Sequence, residues 1–190
     1  MRQDDPNLAQ FDVLFESIEN DDIDTVKSKI TELNTQLLLA HEGMKHHIGP
    51  ERFIKVLLKH LDNKFDSALM LQCSNWLLTM LDLFPDSAEV IIDFDGLNVL
   101  ESKSQSINYI DVAEDCIKLL NKLAEQCPNE VMGSECAMNF INFIDFFDKN
   151  VQGTIMNMIR HFFGVGVWNK NIKKFSEVVV NKCNGKLSIP

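Results

Sequence analysis

An all-α solenoid is the fold class this sequence predicts, and three observations predict it. The 190 residues are 45% hydrophobic yet contain only 8 Gly, 5 Pro and 1 Tyr, so turns are few, elements are long and helices are the default. A long apolar segment closed by a proline, 109-YIDVAEDCIKLLNKLAEQCPNE-130, has counterparts at 66-DSALMLQCSNWLLTMLDLFPDS-87 and 148-DKNVQGTIMNMIRHFFGVG-166. Within each pair of neighbouring copies the offset is constant. Pro85 recurs 43 residues later as Pro128, and the same offset carries Cys73 to Cys116, Trp76 to Leu119, Leu77 to Leu120 and Phe84 to Cys127. An offset of 39 then carries Val112 to Val151, Cys116 to Ile155, Leu119 to Met158, Leu120 to Ile159 and Leu123 to Phe162.

A period near forty belongs to stacked helical repeats of the armadillo or HEAT type, so the expected architecture is a right-handed α-solenoid of about three full repeats with partial units at both ends. Residues 1–10 read as an acidic flexible N-terminus and 11–45 as a divergent leading unit. Full repeats are expected at 46–85, 86–128 and 129–166, a partial unit at 167–186 and a tail at 187–190. Within a unit, 51-ERFIKVLLKHLD-62 is amphipathic, with Phe53, Ile54, Leu57, Leu58 and Leu61 on one side. Its Ile54 and Leu57 recur as Leu97 and Leu100, and again as Phe140 and Phe143. The polar loop 62-DNKFDS-67 leads into a long helix that is apolar almost all round, as a helix buried between neighbours should be. After the proline stop, Asp86 reads as the N-cap of a short helix over 86-DSAEVIID-93. Ile172, Phe175, Val178 and Val179 begin one further inward-facing helix.

Charge and cysteine usage narrow the function. A formal net charge of −10 argues against a nucleic-acid partner, whose phosphates are bound chiefly by Lys and Arg. No apolar run reaches the roughly 20 residues of a membrane span, and 1-MRQDDPNLAQ-10 is no signal peptide. The five cysteines, Cys73, Cys116, Cys127, Cys136 and Cys183, are odd in number and form no C-x-x-C pair. They point to a reducing compartment, nucleus or cytoplasm.

Three segments carry a family resemblance. The string 110-IDVAEDCIKLLNKLAEQ-126 resembles an armadillo repeat of the HECT-type E3 ubiquitin ligases of the ubiquitin-fusion-degradation branch, which includes the thyroid-receptor-interacting ligase of animals. Similar to that family's neighbouring repeats are 143-FIDFFDKNVQGTIMNMI-159 and the turn 82-DLFPDSAEVIID-93, in the same order and over residues 11–165. The resemblance implies a non-catalytic scaffold that recognises a substrate degron or ubiquitin on its concave face. The family's transferring cysteine belongs to a C-terminal HECT domain with no counterpart here, so no enzyme is expected within these residues. The chain is expected to be a monomer. The other readings are a free-standing armadillo adaptor and an importin-α-like peptide receptor; the latter needs a Trp with an Asn one turn later on successive helices, whereas Trp76 is followed by Met80.

Candidate sites are few. The stretch 41-HEGMKHH-47 lacks the one-turn His spacing of a zinc protease, since Lys45 stands where the second His is needed. It reads as a polar loop, and no metal or cofactor is expected. His60 and His161 lie alone on helices, and Cys73 and Cys116 read as core. Gly164 and Gly166 form no phosphate loop. Met156 and Met158 read as packing residues. A polar stripe is left on the long helices. Glu114, Lys118 and Asn121 lie on the middle one; the repeat offsets take Lys118 to Asn75 and Asn157, and Asn121 to Arg160. These six residues, Asn75, Glu114, Lys118, Asn121, Asn157 and Arg160, are the candidate partner-binding set, since amides and cations at regular spacing can bind backbone carbonyls and carboxylates.

Overall fold

The structure is a computed structural model that describes residues 6–20, 22–39, 49–63, 66–84, 86–104, 109–164, 173 and 176–181. Among these residues the regular structure is entirely helical. The chain runs through α1 (Pro6–Asn20), α2 (Ile23–Leu39), α3 (Glu51–Leu61), α4 (Ser67–Leu83), α5 (Ser87–Asp93), α6 (Gly96–Ser104), α7 (Ile110–Gln126), α8 (Pro128–Gly133) and α9 (Cys136–Asn142). A single 3-10 turn, Ile144–Phe146, then leads into α10 (Lys149–Gly164). Residues 176–181 are helical as well. The stretch from His41 to His47, Pro85, Gly166, Ile172, Phe175, Cys183 and the tail lie outside the described residues.

The long helices pack in a row: α2 beside α4, α4 beside α7, and α7 beside α10. The residues related by the two offsets are what they bury. Cys73, Leu77 and Met80 of α4, Cys116, Leu120 and Leu123 of α7, and Ile155, Ile159 and Phe162 of α10 belong to one continuous core. Trp76 is half-buried against that core. An offset of 44 extends the ladder back to α2, taking buried Val26, Leu33 and Leu37 to buried Met70, Leu77 and Leu81. A second row backs the first. Phe11 and Phe15 of α1 set their rings edge-on to Phe53 of α3, at 6.3 and 4.7 Å, and α6 packs between α7 and α9.

Local chemistry explains where the elements begin and end. The Asp66 carboxylate accepts the Leu69 N–H at 2.8 Å and caps α4. Asp22 accepts the Thr25 N–H at 3.1 Å in α2, and Asp148 accepts the Val151 N–H at 2.9 Å in α10. These three aspartates are repeat equivalents. The fourth member of the series is Tyr109, which has no cap to offer α7. Before the prolines the chain leaves the helix, with Phe84 extended at φ −128° and Cys127 at φ −127°, as the ring of a following proline demands. Pro128 then opens α8 at its first turn, where no N–H is needed. At the α5–α6 corner Asp95 takes φ 63°. Gly96 beside it has no room for a Cβ, which would stand 2.5 Å from the Ile91 carbonyl oxygen.

Two local expectations fail. Asp86 occupies the N-cap position of α5 but makes no side-chain cap; instead buried Ser87 donates its hydroxyl to the Met80 carbonyl at 3.1 Å and ties the short helix to the long one. Phe143 does not follow buried Leu57 and Leu100 into the core, because α9 is only 7 residues long and Phe143 lies past its end. In addition, α1 begins at Pro6, inside the ten residues read as a flexible terminus.

Polar ties between units show the same spacing as the core. Arg52 pairs with Asp12, 40 residues away, and lays its guanidinium 4.4 Å from the Phe15 ring centroid. Gln72 donates to Thr31 at 2.7 Å, 41 residues away. Lys122 pairs with Asp82 at a separation of 40, and Asn139 donates to Glu101 at a separation of 38. Each unit thus contacts its neighbour in sequence, as in a quasi-one-dimensional stack.

Candidate partner-binding surface

The packing of α4, α7 and α10 brings Asn75, Lys118 and Asn157 to equivalent exposed positions on three adjacent helices. Exposed Thr31 of α2 precedes Asn75 by 44 residues and continues the row; sequence reasoning missed it because the offset into the leading unit had not been identified. Thr31 accepts from Gln72 of α4, whereas the side chains of Asn75, Lys118 and Asn157 bond within their own helices. Asn75 donates to the Leu71 carbonyl at 3.0 Å. The Lys118 ammonium sits 2.7 Å from Asp115, and Asn157 accepts from Arg160 at 3.2 Å.

The other candidates flank this row. Arg160 is exposed and joined to Asn157. Asn121 is half-buried; its amide donates to Glu125 at 3.2 Å, while its buried Oδ1 has no partner. Glu114 is half-buried one turn before Lys118, and burial, then the nearby Asp148 carboxylate, raise its carboxyl above the usual range. The flank of the row is thus acidic at the start of α7, with a cation and an amide beyond it.

Asp115 is a residue the sequence pattern did not single out. It is buried between α4 and α7, where it accepts the Ser74 hydroxyl at 3.1 Å and the Lys118 ammonium at 2.7 Å. The charge of Lys118 is thus partly balanced from below. A buried carboxylate needs such partners, because an uncompensated one is strongly destabilising.

The described cysteines are poor nucleophiles. Burial raises the thiols of Cys73, Cys127 and Cys136, and pushes that of Cys116 up to about 12. A thiolate is what attacks a thioester. Among the described residues no group of three or more His, Cys, Asp or Glu is arranged to hold a metal ion, and no helix is long and apolar enough to cross a membrane. His60 is half-buried with Nε2 3.1 Å from the Ile18 carbonyl oxygen, and burial lowers its pKa. His161 stands 3.4 Å from Glu125.

Comparison with known proteins bears on the helical repeats. The profile of the family described as "E3 ubiquitin-protein ligase TRIP12-like, TPR repeats" matches residues 2–132. The E3 ubiquitin-protein ligase UPL4 of Arabidopsis thaliana is 26% identical over 137 residues, which cover 70% of this chain and 9% of that protein. The E3 ubiquitin-protein ligase UPL3 of the same plant is 24% identical over 123 residues, 65% of this chain and 6% of that protein. The chain thus spans less than a tenth of either relative. The matched family is described by tetratricopeptide repeats, which are helix pairs repeating every 34 residues; here a short third helix, α5 or α8, precedes two of the pairs, and the offsets are longer.

Proposed function

Since the chain belongs to the TRIP12-like repeat family of E3 ubiquitin-protein ligases, we propose that it is a non-catalytic, protein-binding scaffold of ubiquitin-dependent degradation in the nucleus or cytoplasm. The proposed architecture is a right-handed armadillo-type stack of three full units, 46–85, 86–128 and 129–166, led by 11–45 and followed by a partial unit over 167–186. The three-helix units and the offsets of 43 and 39 residues support the armadillo type over two-helix repeats.

The observation that carries the reading is the row of Asn75, Lys118 and Asn157, exposed on helices that pack side by side. In the proposed groove, amides and an ammonium at repeat spacing bind the backbone and carboxylates of a substrate segment or a ubiquitin surface. Glu114, Asn121 and Arg160 extend the site one turn to either side. Ubiquitin transfer itself is assigned to another part of the ligase, because the described thiols are buried and their thiolates suppressed.

Replacing Asn75, Lys118 and Asn157 together by Ala tests this. The expected result is loss of substrate or ubiquitin from a pull-down by a chain that still unfolds cooperatively, at a lowered midpoint because Lys118→Ala takes one partner from buried Asp115. An intact pull-down by the folded variant refutes the groove. A reducible ubiquitin adduct on this chain, formed with E1 and E2, refutes the non-catalytic assignment.

A further inference from the structure

The corner between α9 and α10 carries aromatic surface that the stack does not use. Phe146 donates its N–H to the Phe143 carbonyl at 2.9 Å, closing a single 3-10 turn. The turn sorts its side chains. Ile144 is buried, and the half-buried Phe147 ring lies 6.4 Å from that of Phe140 in the core. Phe143 and Phe146 face outward, with their rings edge to face at 6.0 Å, and Phe146 is 71% exposed. The two residues that precede Phe143 at repeat spacing, Leu57 and Leu100, are both buried. At this position, then, only the last of the three units presents an apolar side chain to water.

The rim of this patch is acidic. Asp145 and Asp148 are exposed and bracket Phe146 and Phe147. On the neighbouring α7, Glu114 feels the Asp148 carboxylate, and Asp111 and Asp115 add to the same field. Two lysines lie nearby: Lys118 is bonded to Asp115, and Lys149 is exposed at the start of α10. A nucleic acid would bring phosphates against these carboxylates. A second copy of the chain, at a net charge of −10, would bring like charge to like. An extended basic segment meets neither objection.

We infer that the Phe143–Phe146 corner, with Asp145, Asp148 and Glu114 around it, is a docking surface for a partner polypeptide that presents an aliphatic or aromatic side chain between Lys or Arg residues. The apolar side chain covers the Phe146 ring, and the cations face the rim carboxylates. The inference rests on the reading of the chain as a protein-binding scaffold; the corner adjoins the polar row through Glu114 but uses none of Asn75, Lys118 and Asn157 as a contact.

The test is fluorescence anisotropy of the full chain with a labelled peptide holding one Leu between two Arg residues, beside one peptide with Ser for Leu and another with Glu for Arg. The Arg-Leu-Arg peptide is expected to bind at least about tenfold more tightly than either control, a difference of roughly 1.4 kcal/mol, and more weakly as salt rises. Phe146→Ser and Asp145→Asn each weaken it in chains that still unfold cooperatively, and the triple Ala variant of the polar row binds as wild type does. Equal binding of the three peptides, no binding of any, or undiminished binding by Phe146→Ser overturns the assignment. So does wild-type self-association that Phe146→Ser abolishes, which would make the corner a contact between copies. Loss of binding in the triple variant alone would move the site to the row.

Discussion

The long helices α7 and α10 follow one pattern and stand in one row, yet their far faces differ. Ile117 and Ala124 of α7 are 1% and 0% exposed; their equivalents 39 residues later, Met156 and Phe163 of α10, are 42% and 47% exposed. The face that carries the aromatic ring is the one left in water. Burial in this row is therefore decided by whether a neighbour stands on each side, and only secondarily by the side chain. α7 has α4 on one side and α10 on the other, whereas no further long helix follows α10 among the described residues. Each unit takes much of its stability from the next, as nearest-neighbour coupling in a repeat stack requires.

Substitutions graded along the row sharpen this contrast. The largest effect is expected for Leu120→Asp, which puts a charge at a fully buried position of α7. It should cost about 4 kcal/mol or more and abolish a cooperative thermal transition. Ile117→Lys should behave similarly, while Met156→Lys at the equivalent position of α10 should stay within roughly 0.5 kcal/mol. Equal effects at those two positions would remove the distinction between the helices.

Removing the buried carboxylate comes next. Asp115→Ala should cost about 1–3 kcal/mol in denaturant unfolding, because Ser74 and Lys118 lose a charged acceptor. Cap losses are smaller. Asp66→Ala and Asp148→Ala should each cost about 1 kcal/mol, with Asp66 the larger because its carboxylate also reaches Lys27 of the preceding unit. Asp66 is held below the ordinary aspartate value by Lys27 first and the cap bond second. That contribution is present above about pH 4 and fades as pH falls through the lower folded value.

At the opposite end of the molecule, His60 offers a titratable tie between α3 and α1. Burial lowers its pKa, so the folded state holds the neutral ring in preference to the charged one. Between the ordinary value near 6.5 and the lower folded value, the unfolded chain binds more protons. Stability should therefore decline modestly as pH falls through about 6.5. His60→Gln, followed by unfolding at pH 7.5 and at about pH 5.5, should flatten that slope.

The sequence disclosed the row of long helices because both offsets carry apolar residues onto apolar residues, and the first also carries a proline stop onto a proline stop. Cys73, Cys116 and Ile155 form such a series, and all three are buried. What it withheld depends on partners some forty residues away. The helix at Pro6 is hidden behind acidic residues until Phe11 and Phe15 meet Phe53. Asp115 stands out only once α4 brings the Ser74 hydroxyl, 41 residues away, onto its carboxylate. Phe143 fits the apolar period of its unit, and the early end of α9 turns it outward. The polar row could be assembled by arithmetic on the offsets, but its exposure on three packed helices required the fold.

The central claim is that neighbours on both sides, rather than local sequence, set the stability of each long helix. Native-state hydrogen exchange measures this directly on paired amides: Cys116, Leu119 and Leu120 of α7 against Ile155, Met158 and Ile159 of α10. The account predicts that the α7 amides exchange at least about tenfold more slowly, through opening of the whole stack, while the α10 amides exchange through a local opening of the last unit. Equal rates at the paired positions, or slower exchange in α10, would contradict it.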